Sequence, residues 1–433
     1  MKTKALAGFR DFYPTDLALR SHIFSTWRSV ATRYGFEEYD GPPLEPLALY
    51  TAKSGEEIVG QLYNFKDKGD RDVALRPEMT PTLARMVAAR AGELKKPIRW
   101  FSIPQLFRYE RQQRGRLREH FQLNCDLIGE SSSLADAEII ALAIDVMRAF
   151  GLSPRDVRVR LSDRRVLTAI LRQRGVPAQS MSTAFEFIDK VERLTPEQLQ
   201  EASSRPDVFA PATVLDLVEV SQIRGWDALD RELERAAESV KAAVPLREAY
   251  EALAAMGLAD FVELDLTIVR GLAYYTGIVF ELFDAGRTLR AVCGGGRYDN
   301  LLQDLGGVAL PALGFGMGDV VLAELLKDKG VVPSDDASID VFLAFITQDD
   351  LTHVLALAHQ LRDKGLRVEY ALSPQAVGKQ LKLADARQAR LAAVIGPDER
   401  ARGELIVKDL RSGTQQAVPY STAADTIRDR MHG

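Results

Sequence analysis

Two stretches with strand character, 98–108 and 119–127, flank a loop rich in Arg, Gln and Gly, a pattern that predicts an antiparallel hairpin with a charged tip. Along it the cations Arg99, Arg108, Arg111, Arg114, Arg116 and Arg118 stand against a lone Glu110. Guanidinium groups stay charged and match phosphate oxygens two at a time, so such a tip suits an anionic ligand. A solvated surface accounts well for Arg114 and Arg118. It accounts poorly for Arg108, which stands at the end of the strand patterned by Phe101, Ile103 and Gln105.

The rest of the chain supplies the frame. At roughly 150 residues per domain, 433 residues imply two or three domains. A hydrophobic share of 46% and a charged share of 27% are enough for packed cores and exclude general disorder. Lys and Arg number 56 against 61 Asp and Glu, so the net charge of −5 rules out a basic coat and leaves only local basic tracks for nucleic acid. Cys125 and Cys293 are too few for a disulfide framework or a cysteine zinc site and read as small core residues. No apolar run is long enough to span a bilayer and the opening residues lack a signal-peptide core, which makes the cytoplasm the expected location.

Helices are expected at 17–34, where Leu19, Ile23, Trp27 and Val30 share a face, at 80–91, at 134–150 and at 318–329. The proline-rich segment 35–46 reads as an edge or interface. Strands are expected at 156–161, 262–269, 278–283 and 290–293, with a charged helical insertion at about 163–258 broken near 203–207. After a Pro, Ser and Asp linker at 331–338, residues 339–395 alternate βαβαβ, which predicts a separate, mostly parallel α/β domain at 339–433.

Three glycine clusters, Gly294-Gly-Gly-Arg-Tyr-Asp299, Gly306-Gly307 and Gly314-Phe-Gly-Met-Gly-Asp319, suggest a nucleotide loop, but none continues as Gly-Lys-Ser/Thr. Taken alone they read as close packing of a helix on a sheet.

Taken together, Arg76-Pro-Glu-Met-Thr80, the arginine hairpin, Arg270-Gly-Leu-Ala-Tyr-Tyr-Thr-Gly277 and the first glycine cluster resemble the histidyl-tRNA synthetases, class II aminoacyl-tRNA synthetases, over nearly the whole chain. The resemblance implies an α+β fold: a catalytic domain over 1–330 built on an antiparallel sheet with flanking helices, then an anticodon-binding α/β domain. It further implies ATP carrying Mg²⁺, histidine and histidine tRNA as partners, and a homodimer with Pro43 in its interface segment. Arg108 and Arg270 match the two cations at the reacting phosphorus. Glu110, Arg116 and Arg297, together with Arg108, are expected at ATP, the Mg²⁺ riding on ATP oxygens and not in a protein cage. For histidine the resemblance implies Glu78, Thr80, Gln122 and Asp126 on the amine side, Tyr275 and Tyr298 on the ring side, and Arg270. Arg111, Gln113 and Arg114 are expected at the tRNA acceptor end, and Lys379, Lys382, Arg387 and Arg390 at the anticodon.

Each residue also has a plainer reading: Glu78 can cap the following helix, and Tyr274 is expected to fill a core. Two departures from the family pattern stand out. Val321 occupies the place of the third-motif arginine, in a Gly-Asp form resembling plant-like members, and Asp126 replaces a longer Glu. A second reading, a histidine-sensing regulatory subunit of ATP phosphoribosyltransferase, is disfavoured because Arg108, Arg116, Arg270 and the C-terminal domain are all retained.

Overall fold

The periodic run around Trp27 forms the helix Pro14–Arg33, which buries Ile23, Trp27, Val30 and Ala31. The computed structural model describes residues 4–51, 60–109, 113, 115–191, 194–195, 197–199, 211–235, 237–269, 274–332 and 339–432. Its chain divides into two compact units, Met1–Val332 and Pro333–Gly433.

In the first unit the edge segment contributes β1 (Glu37–Glu38) and β2 (Leu44–Pro46), and β2 joins β3 (Asn64–Lys66) and β4 (Asp72–Leu75) in a small antiparallel sheet. The main sheet adds β5 (Ile98–Ser102), β6 (Gln105–Phe107), β7 (Glu119–Ile128), β8 (Val157–Asp163), β9 (Val262–Leu264), β10 (Ile278–Asp284), β11 (Cys293–Arg297) and β12 (Ala312–Gly318). Its order is β1-β5-β7-β12-β11-β10-β8-β9, with β6 beside β7. The interior pairs are antiparallel, and only the outer pairs β1–β5 and β8–β9 run parallel. This is the antiparallel, helix-flanked sheet that the resemblance implies.

The expected single strand over 98–108 is in fact two, β5 and β6, interrupted at Ile103-Pro104, where proline has no N–H for the ladder. The strand expected over 262–269 ends at Leu264, because Asp265 turns the chain by accepting hydrogen bonds from the Thr267 backbone N–H and hydroxyl at 3.0 and 2.6 Å. The expected strand at 290–293 is displaced: β11 starts at Cys293 and runs through the glycines.

Strand alternation gives the main sheet two chemically distinct faces. Leu123, Cys125 and Leu127 of β7, Leu313, Phe315 and Met317 of β12, and Ile278, Phe280 and Leu282 of β10 pack in one core with the buried side of the helix Ser133–Ala149. Both cysteines are buried and unbridged. The opposite face carries Gln122, Asn124 and Asp126 opposite Gly314, Gly316 and Gly318. The helix Thr80–Ala89 covers part of this face, packing Leu83, Ala84 and Val87 with Tyr275, Tyr298, Val279 and Ile128. The charged insertion is helical, with helices Arg164–Gln173, Met181–Lys190, Pro211–Ser221, Trp226–Leu233 and Ala237–Ala255; the break expected near 203–207 lies outside the described residues.

The second unit contains β13 (Val341–Phe345), β14 (Val368–Tyr370), β15 (Leu391–Ile395), β16 (Glu404–Asp409) and β17 (Gln415–Pro419) in the order β14-β13-β15-β16-β17. The βαβαβ segment is parallel as expected, but β16 and β17 return antiparallel, so the sheet is mixed. Most of the linker stretch 331–338 lies outside the described residues.

Candidate active site

The hairpin is closed at its root by the Arg108 N–H donating to the Arg118 carbonyl at 2.9 Å. Arg76, buried under the hairpin, ties three segments together: it donates to the Gln105 carbonyl at 3.0 Å, the Gly41 carbonyl at 2.7 Å and the Asp40 carboxylate at 2.9 Å. That brace brings the Arg76-Pro-Glu-Met-Thr80 segment against β6, where Arg108 Nε donates to the Pro77 carbonyl at 3.0 Å. Glu78 sits next to Arg108; burial pushes its carboxyl above the ordinary range and the guanidinium opposes the shift. The helix Thr80–Ala89 has Met79 at its N-cap with no side-chain cap, so Glu78 does not serve as one.

Arg10, in the opening Gly8-Phe-Arg segment, holds the base of the hairpin by donating to Glu119 at 2.6 Å and Asp319 at 2.9 Å. Asp319 in turn accepts from the Phe121 backbone N–H at 2.8 Å, which fixes β7 against the start of the helix Asp319–Asp328.

Above this frame lies a cavity of about 920 Å³ whose wall includes Arg108, Gln113, Arg116, His120, Gln122 and Arg290, with Gly294, Gly316 and Gly318 as its floor. The glycines serve a steric purpose: a Cβ on Gly316 would lie 2.7 Å from the Gln122 amide, and one on Gly314 only 2.5 Å from an Asp126 oxygen. Asp126 follows Gln122 on the same face of β7, and Tyr275 and Tyr298 pack there with the helix Thr80–Ala89, outside the lining of this cavity; Tyr275 borders a second one, of about 480 Å³, with Arg164, Arg165 and Thr276. Tyr298 donates its hydroxyl hydrogen to the Asp126 carboxylate. Burial raises Asp126 to about 7 against that hydrogen bond, and pushes the Tyr298 hydroxyl well above its ordinary value. Tyr274 and Tyr275 pack their rings at 5.8 and 6.4 Å from that of Tyr298.

Two cavity residues were not expected from the sequence. His120 is driven down to about 3 by burial and then by Arg108, Arg10 and Arg116, so its imidazole is neutral at physiological pH. Arg290 comes from the β10–β11 connection and, after burial, is the largest influence lowering Arg116, followed by Arg108. Val321 lines the cavity where a third-motif arginine was sought.

Arg297 requires correction. It shares the helix-covered face with Cys293 and Gly295 and points away from the cavity. Its guanidinium, only 3% exposed, pairs with Asp136 at 2.6 Å and donates to the Glu130 and Ser132 carbonyls at 3.0 Å. Its role is to lock the sheet to the helix Ser133–Ala149, and the expected ATP contact is withdrawn.

Arg270, Glu110, Arg111 and Arg114 lie outside the described residues. Gln113 is exposed on the cavity wall, and Arg118 stacks over Tyr109 at 4.2 Å. In the second unit Lys379, Lys382 and Arg387 are exposed, whereas Arg390 donates to the Met431 carbonyl at 2.9 Å and so braces the last helix. Among the described residues no three His, Cys, Asp or Glu side chains cluster to hold a metal ion, and no helix is long and apolar enough to cross a membrane. Among the described residues the cavity wall also carries the carboxylates Asp189, Glu281 and Glu324.

A family model described as histidyl-tRNA synthetase matches residues 8–319, and one described as an anticodon binding domain matches residues 340–430. The chain is 43% identical over 428 residues to a histidine–tRNA ligase of Opitutus terrae, covering 98% of each sequence. It is 39% identical over 414 residues to the chloroplastic/mitochondrial histidine–tRNA ligase of Arabidopsis thaliana, covering 96% of this chain and 84% of that one. The crystal structure of a histidyl-tRNA synthetase from Nostoc sp. PCC 7120 superposes with a TM-score of 0.84 at 26% identity, over 99% of this chain and 100% of that one.

Proposed function

The chain belongs to the histidyl-tRNA synthetase family, and from that premise we propose that it activates histidine with ATP and esterifies histidine tRNA in the cavity bounded by Arg108, Arg116 and Gln122. A carboxylate oxygen of histidine attacks the α-phosphorus of ATP, the bond to the β-phosphate oxygen breaks, and pyrophosphate leaves histidyl-adenylate behind. A terminal ribose hydroxyl of the tRNA then attacks the acyl carbon, loses its proton and releases AMP. No side-chain nucleophile is needed.

The difficulty of the first step is electrostatic, since two anions must meet and the phosphorus gains charge in the transition state. Arg108, fixed by the Pro77 carbonyl, supplies a preorganised cation, and Arg270 is assigned the second. Arg116 and Glu110 are assigned to the far phosphates and the adenine end. Glu78, Thr80, Gln122 and Asp126 are assigned to the amine of histidine, and Tyr275 and Tyr298 to its ring. Asp189, Glu281 and Glu324, carboxylates of the cavity wall, would be the protein's hard donors to Mg²⁺ carried on the phosphate oxygens. Arg111, Gln113 and Arg114 are assigned to the acceptor end, and Lys379, Lys382 and Arg387 to the anticodon. The reading extends to a cytoplasmic homodimer with Pro43 in its interface.

The observation that carries the proposal is the shared face: Gln122 and Asp126 project from one strand across glycines that leave room for those two side chains, and Gln122 enters the wall of a cavity bearing Arg108 and Arg116. Histidine-dependent exchange of labelled pyrophosphate into ATP tests it. Exchange is expected; folded protein that binds histidine but exchanges nothing supports the histidine-sensing reading instead.

A further inference from the structure

The connection between β10 and β11 is held rigidly by one carboxylate. Asp284 accepts from the Thr288 N–H and hydroxyl at 2.9 and 3.0 Å and from the Leu289 N–H at 2.9 Å. The ladder resumes at once, with the Val292 N–H donating to the Leu282 carbonyl at 2.8 Å. Between these two anchors the chain presents Arg290 on the cavity wall.

Its surroundings show what it faces. A Cβ on Gly115, at the hairpin tip, would stand 3.1 Å from Val321 Cγ2 and 3.8 Å from Arg290 Cδ, so tip, helix and loop meet at one point beside Arg116. Arg290 is exposed and has no hydrogen bond or ion pair among the described residues. Arg108, Arg116 and Arg290 therefore share one hollow, where Arg116 is pushed down first by burial and then by Arg290 and Arg108. Like charges gathered on a braced frame are most readily reconciled by a multiply charged anion bound between them.

We propose that Arg290 is a nucleotide-binding residue that contacts the polyphosphate of ATP from the β10–β11 connection, adding a third cation to Arg108 and Arg116. The assignment rests on the reading of the cavity given above. It gives that connection a function the sequence did not suggest, and it places a cation next to Val321, the position at which the third-motif arginine is missing.

The test is equilibrium binding of Mg²⁺-ATP and of adenosine to the full chain and to Arg290→Ala, Arg290→Gln and Arg290→Lys, with the exposed Arg33→Ala as a control for lost charge. Arg290→Ala and Arg290→Gln are expected to weaken ATP binding by about tenfold, the loss of one charge-assisted contact. Adenosine binding should change by less than about twofold, since only the phosphates are contacted, and Arg290→Lys should fall between. ATP binding unchanged in both neutral variants, or matched by Arg33→Ala, or an equal loss for adenosine, overturns the assignment. If the wild type shows the Arg290-dependent ATP binding but no pyrophosphate exchange, the phosphate contact stands and the activation reading fails.

Discussion

Arg297 and Asp136 are each 3% exposed at their side chains and form an ion pair inside the core. Removing one partner strands a buried charge, so Arg297→Ala is expected to lower stability by about 3–5 kcal/mol, read from the urea midpoint, whereas Arg297→Leu with Asp136→Leu should recover much of the loss. A large rise in KM for ATP with unchanged stability would restore the discarded ATP contact. Asp126 makes a second prediction. Its folded value of about 7 lies above the ordinary carboxyl value of about 3.9. Between those values the folded state keeps a proton that the unfolded chain has released, so stability contributed by this group falls as pH rises through the window and is level above it. Asp126→Asn cannot titrate, and its stability relative to wild type should climb from about pH 4 to 7 and then flatten. A difference constant with pH contradicts this. Arg108 was legible in the sequence because it follows a strongly patterned strand. Arg297 was not, because in Gly294-Gly-Gly-Arg297 the neighbours have no side chains to show which face is buried.

At the scale of elements, the same glycines hid a strand. β11 and β12 sit at the centre of the sheet, yet glycine carries neither β-propensity nor an apolar signal, so 294–296 read as packing or loop. Their reason lies across the strand: the small floor makes room for Gln122, Asp126 and Tyr298. Gly316→Ala should push the Gln122 amide aside and raise KM for histidine by about tenfold, with KM for ATP changed far less. At Gly318 an added methyl meets nothing within 4 Å, and Gly318→Ala should change KM for histidine by less than about twofold. Equal effects at the two positions would remove the steric argument. The helix Ser133–Ala149, by contrast, was readable to within a residue at each end, since a long apolar run closed by Gly151 has few alternatives.

For the whole molecule, the hairpin and the helical insertion followed from spacing and periodicity, and the antiparallel sheet from the family resemblance. The antiparallel return of β16 and β17 did not, because it depends on pairing partners that local pattern does not specify. What the fold achieves is convergence. Residues of the hairpin, the glycine strands and the β10–β11 connection line one cavity, while the opening segment and the 76–80 segment brace the hairpin from outside it. The central claim is that Arg108 stabilises the charge developing on ATP there while histidine binds beside it. The most direct test is the rate of histidine-dependent pyrophosphate exchange in Arg108→Ala at saturating substrates, alongside its equilibrium binding of histidine. A fall of about 100-fold or more in rate, with histidine binding within about threefold of wild type, is the predicted result. Exchange at close to the wild-type rate would contradict it.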